Sequence, residues 1–146
     1  MGRVLTLEHS DPLAHYYLDH FTYESVVRAM DSLGMIQDLR ILDLARAAFH
    51  RAIPGIPLNQ VGPDDVRTAM DALRAVGAAE PSGIPRHKLA TAEGWLISPQ
   101  EITAALDSYH RAAPEQREAV AARIDDWKPL IDFLHIAGDH HGLRST

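Results

Sequence analysis

Four residues, Ser98-Pro99-Gln100-Glu101, constrain this chain more than any others. A serine followed three positions later by a glutamate is a capping box. Each side chain takes up a backbone N–H that the first turn of a helix leaves without an intrahelical partner. Proline directly after the serine suits the first helical position, where a missing N–H costs nothing. Ile102, Ala105, Leu106 and Tyr109 then recur at helical spacing, so a helix starts here and buries that stripe. The box lies within Trp95–Gly142, a stretch that also holds both tryptophans and the densest histidine cluster.

The same signals recur elsewhere. Val4-Leu5-Thr6-Leu7 reads as one short strand. Ser10-Asp11-Pro12 reads as a helix start, with LAHYYLDH behind it as helix. A second start at Thr22 leads a helix to about Leu33, with Val26, Val27, Met30 and Leu33 on its buried stripe and Gly34 as its stop. Leu39–Ala52 keeps the helical period, and Ile53-Pro54-Gly55-Ile56-Pro57 ends it. Gly62-Pro63-Asp64-Asp65 opens a helix with Val66, Ala69, Met70 and Leu73 inward, stopping at Gly77. Residues 78–94 carry two prolines and two glycines and read as an irregular loop or loose hairpin, reaching to about 97. Pro114 restarts a helix with Val120 and Ile124 inward. Asp125 and Asp126 precede a last helix that buries Trp127, Leu130, Ile131 and Leu134 and stops at Gly138. The expected fold is mainly α: a single compact multi-helix domain over 1–146 with at most a short β element or hairpin.

The totals exclude several functions. Cysteine is absent, which removes thiol nucleophiles, disulfides, iron–sulfur clusters and cysteine zinc sites together. A net charge of −6 sets the overall field against nucleic acid and anionic membrane. No apolar run reaches the length of a membrane span, and the amino terminus lacks a signal-type core. A cytoplasmic protein is the expectation. The preference for arginine over lysine, with abundant alanine, suggests a GC-rich coding genome and hence a bacterium or its phage. No nucleophile elbow, phosphate-binding glycine loop, dinucleotide fingerprint or H-E-x-x-H motif occurs.

The carboxyl-terminal third carries W-x-I-S-P-x-E-I and then W-x-x-L-I-D-F-L-x-x-A-G-D-H-x-G-L-R, matched at Trp95, Ser98, Pro99, Glu101, Trp127, Phe133, Asp139, His140 and Gly142. This pattern resembles the ends of small uncharacterised bacterial proteins of GC-rich genomes. The resemblance implies a compact unit and brings no activity with it.

Three groups of residues are candidates for chemistry. Asp132, His135, Asp139, His140 and His141 combine carboxylate and imidazole, with the first three at helical spacing on one face. That set suits zinc, manganese or iron, although a polar stripe opposite an apolar one is also what any surface helix needs. His15 and Asp19, four apart, with His20 and the flanking Tyr16 and Tyr17, form a second such group. The two groups would make a convincing metal site if they met. The third candidate is a winged helix in which residues 63–79 are the second helix and Arg86, His87 and Lys88 the wing. Arg67 and Arg74 would face phosphate, but Asp64 and Asp65 at the helix start would oppose it.

The leading expectation is an accessory or regulatory protein, without catalysis or cofactor, that binds another protein or itself as a homodimer. An exposed apolar patch would then remain near Tyr16, Tyr17, Trp95 and the 78–94 segment, with Arg86 and Lys88 beside it. The alternatives are a metal-dependent hydrolase using zinc or manganese at the Asp/His cluster, and a DNA-binding regulator.

Overall fold

The computed structural model describes residues 2–8, 14–40, 55, 58–75 and 80–146. The expected Leu39–Ala52 helix falls almost entirely outside them. So does the expected helix start at 10–12.

The architecture is mostly helical, with more strand than the sequence suggests. Four short strands form one antiparallel sheet in the order β2-β1-β6-β5, where β1 is Arg3–Leu7, β2 His15–Leu18, β5 Leu96–Ile97 and β6 Leu143–Ser145. β3 (Ile36–Gln37) and β4 (Ile84–Pro85) make a separate parallel pair. Six helices accompany them among the described residues: α1 His20–Ser32, α2 Pro63–Ala75, α3 Arg86–Ala90, α4 Pro99–Arg111, α5 Pro114–Arg123 and α6 Trp127–Asp139.

Alternation along the strands decides which face of the sheet is covered. Leu5 and Leu7 of β1 are opposite Tyr16 of β2 and Leu143 of β6, and Leu143 is opposite Ile97 of β5. These residues point toward the helices. Val4, Thr6, Tyr17 and Arg144 occupy the other face. Leu5, Leu18, Ile97 and Leu143 meet Val26 and Met30 of α1 and Leu130 and Leu134 of α6 in the core. β1 and β6 pair at the centre of this sheet, and beyond β6 Val4 and Thr146 exchange backbone hydrogen bonds at 2.8 and 2.9 Å.

The capping box is present: the Ser98 hydroxyl accepts from the Glu101 N–H, and the Glu101 carboxylate accepts from the Ser98 N–H. Ile102, Ala105 and Leu106 are buried behind it, as their spacing predicts. Val26, Met30 and Leu33 are buried on the α1 stripe. Gly34 follows that helix at φ 73°, the left-handed conformation expected of a helix stop.

Three expectations need correction. Residues 15–18 form a strand, because aromatic side chains alternating between core and exterior pair better with β1 than they pack as a helix. The 80–94 segment is ordered into β4 and α3, whose Ile84 and Leu89 are buried. α6 runs through Gly138 to Asp139; the chain reverses at Gly142 instead, at φ 88°. A side chain at Gly142 would overlap the Ile97 carbonyl oxygen. Close approach of β5 to the turn before β6 therefore requires glycine at this point.

Candidate interaction surface

β2 is an edge strand: among the described residues it pairs with β1 alone, so one row of its backbone groups faces outward. Its two tyrosines diverge by alternation. Tyr16 turns inward, where its ring lies 5.8 Å from that of Phe133 and its hydroxyl donates to the Asp126 carboxylate at 3.0 Å. Burial, with that carboxylate alongside, pushes the Tyr16 pKa up to about 12. Asp126 therefore holds β2 down onto the start of α6, and it makes no side-chain cap to α6 itself. Tyr17 turns outward and remains 60% exposed.

The chain passes from β2 into α1 through Asp19. Its carboxylate caps the helix by accepting from the Thr22 N–H and hydroxyl, which holds its pKa below the usual carboxylate range. The cap explains why His15 and Asp19 do not form the expected pair. His15 sits on a strand, and Asp19 is committed to Thr22. His20 lies beside Glu24, 3.4 Å away and exposed.

Phe21, in the first turn of α1, is the most exposed large apolar residue described, at 80%. It borders a groove of about 300 Å³ whose opposite wall is the α5–α6 junction, with Arg123, Ile124, Asp125 and Asp126. Ile124 is buried, whereas Arg123 and Asp125 are exposed. Helical spacing already carried the signal for Phe21. A stripe through Tyr23, Val26 and Met30 leaves position 21 about 200° around the helix from position 23, on the outer face. A second groove, about 340 Å³, lies along α1 beside Arg3, Val27 and Arg28. Arg3 there is engaged by the Ala90 carbonyl and the face of Tyr23.

The residues expected to form a wing are used differently. Lys88 is fully buried and donates to the Glu101 carboxylate at 2.8 Å and to the Leu96 carbonyl at 2.7 Å. Burial lowers its pKa. Glu101 is equally buried, so one carboxylate serves both the capping box and an ion pair. His87 packs edge-on against Trp95, with ring centroids 4.8 Å apart; burial, then the Lys88 charge, lowers its pKa. Trp95 is itself buried and donates to Thr91. Arg86 is occupied by Asp31 and Asp38, at 2.9 and 2.6 Å. Neither Lys88 nor Trp95 is available at a surface, and the wing is a short helix packed into the molecule. Arg74 pairs with Asp71 at the end of α2, and Val66, expected inside, is exposed.

Asp132, His135 and Asp139 do share the exposed face of α6, and His140 follows as its exposed C-cap. The neighbour of His135 is His110 of α4, with ring centroids 5.3 Å apart. Among the described residues, no three histidine, aspartate or glutamate side chains come together in a way that could hold a metal ion. The two histidine clusters thus do not join into one ligand set there. No helix among the described residues is long and apolar enough to cross a membrane.

Seven of the nine residues in the carboxyl-terminal resemblance have structural work: Ser98, Pro99 and Glu101 start α4, Trp95 covers His87, Trp127 and Phe133 fill the core, and Gly142 makes the turn into β6, whereas Asp139 and His140 are exposed. Comparison with protein-family models, with curated proteins and with solved structures finds no match to this chain.

Proposed function

We propose that this chain is an accessory or regulatory protein that works by binding protein, through the surface formed by β2 and the first turns of α1. The observation that carries this reading is Phe21, 80% exposed beside a groove that it lines together with Ile124 and the charged residues of the α5–α6 junction. Leaving a phenylalanine side chain in water forgoes roughly 1.5–3 kcal/mol of burial free energy. Aromatic side chains set beside a pocket are the usual anchors of protein interfaces. Tyr17, also exposed, and the outward backbone groups of β2 add a second mode of contact, strand addition.

The test is in-cell photo-crosslinking in the organism that makes the protein. A photoreactive phenylalanine analogue at position 21 is expected to give a discrete covalent adduct on irradiation. The same analogue at Asp107, exposed on α4, is expected to give none. No adduct from position 21, or the same adducts from both positions, would count against this surface.

A further inference from the structure

We infer that the protein seated on this surface is a second copy of the chain, in a two-fold dimer built on Phe21 and the adjoining groove. The inference rests on the interaction reading above and names its partner. A two-fold interface uses one patch twice, so the patch must complement itself: residue i of one copy meets j of the other, and j meets i. This patch has the parts for that. Phe21 is an apolar knob, and the groove beside it, about 300 Å³ and lined by Ile124 together with Thr22, Ser25 and the charged residues of the α5–α6 junction, is a hole with a mostly polar wall. The groove also carries a cation, Arg123, and an anion, Asp125, both exposed.

Neither of these charges has an ion-pair partner among the described residues. Asp126 is different, because it is held by Tyr16. A two-fold rotation that seats Phe21 of one copy over Ile124 of the other can bring Arg123 opposite the other copy's Asp125, and the symmetry makes that pair twice. An unrelated partner would need the same pattern in its own sequence; a second copy supplies it without further assumption. Charge complementarity of this kind fixes register and excludes misaligned docking.

The experiment is sedimentation equilibrium of the full chain and four variants over about 1–300 μM, a range that covers weak to moderate association. The wild type is expected to rise from 16.1 kDa toward twice that mass. Phe21→Asp is expected to weaken the dimer at least about tenfold. Arg123→Asp and Asp125→Arg should each weaken it comparably, because each sets like charges opposite one another. The double variant Arg123→Asp/Asp125→Arg restores opposite charges in both pairs and is expected to dimerise again. Phe21, Arg123 and Asp125 are exposed, and circular dichroism melts check that each variant folds. A mass of 16.1 kDa throughout, a dimer indifferent to Phe21→Asp, or a double variant no better than the singles would overturn the inference. A monomer in solution combined with a position-21 adduct to a different protein would overturn self-association alone. A monomer with no adduct would overturn both readings.

Discussion

Removing one charge from the buried Lys88–Glu101 pair should cost far more than removing both. Both side chains are fully buried. Glu101 Oε1 accepts from Lys88 Nζ at 2.8 Å and from the Ser98 N–H at 2.9 Å, while Oε2 has no hydrogen-bond partner. Lys88→Met keeps the apolar stem of the side chain, removes the terminal ammonium and strands the carboxylate with one backbone donor. Glu101→Gln keeps an oxygen that can accept from the Ser98 N–H and from Lys88, but it leaves the buried ammonium with only neutral acceptors and no negative charge to balance it. Breaking a buried pair in this way typically costs about 3–5 kcal/mol. That is a large part of the 5–15 kcal/mol a domain has in total, and about 10 °C in Tm for a chain this long. The double variant Lys88→Met/Glu101→Gln leaves no buried charge and retains the cap. Replacing a buried pair by neutral groups of similar volume is often close to neutral, so the double variant should fall within about 2 kcal/mol of wild type. Urea unfolding of all four proteins gives the coupling energy directly. Single-variant costs below about 1 kcal/mol that simply add in the double would refute the argument.

Other expectations follow from single contacts. The His87 pKa is lowered by burial, so below its ordinary value near 6.5 the unfolded chain takes up a proton that the folded chain does not. Stability should therefore fall as pH drops from 6.5 toward the folded-state value, at up to about 1.4 kcal/mol per pH unit, and His87→Phe should remove that slope in urea titrations at pH 7 and pH 5. Gly142→Ala should cost clearly more than Gly34→Ala in thermal unfolding. Both positions have positive φ, but only at 142 would the new methyl strike a backbone oxygen. Tyr16→Phe should cost about 1 kcal/mol through loss of the Asp126 bond, with faster hydrogen exchange at the β1–β2 pairing as a second readout.

The helices of the carboxyl-terminal half were legible because their evidence is local. A capping box, a proline at the first turn and an apolar stripe at helical spacing agree at Ser98–Tyr109, and the stripe from Trp127 to Leu134 is as clear. The sheet was not legible because its evidence is long-range. HYYL can be read as strand or helix until β1 lies beside it, and β6 is three residues that make sense only against residues 5–7. Lys88 misled for the same reason: a cation in a segment rich in glycine and proline reads as exposed unless Glu101, thirteen positions on, is known to meet it. Tyr17 was legible as a surface candidate. Phe21 carries only a weak sequence signal, its place on the outer face of the helical wheel, because a single exposed apolar residue makes no pattern of its own.

The proposed role is tested most directly by the hydrodynamic size of the chain as it exists in its own cells. Native extracts, fractionated by size exclusion and probed for this chain, are predicted to place it above its monomer mass of 16.1 kDa, and Phe21→Asp at the same locus is predicted to return it to the monomer position. A wild-type chain that elutes as a folded monomer at its natural concentration, indistinguishable from Phe21→Asp, would contradict the account.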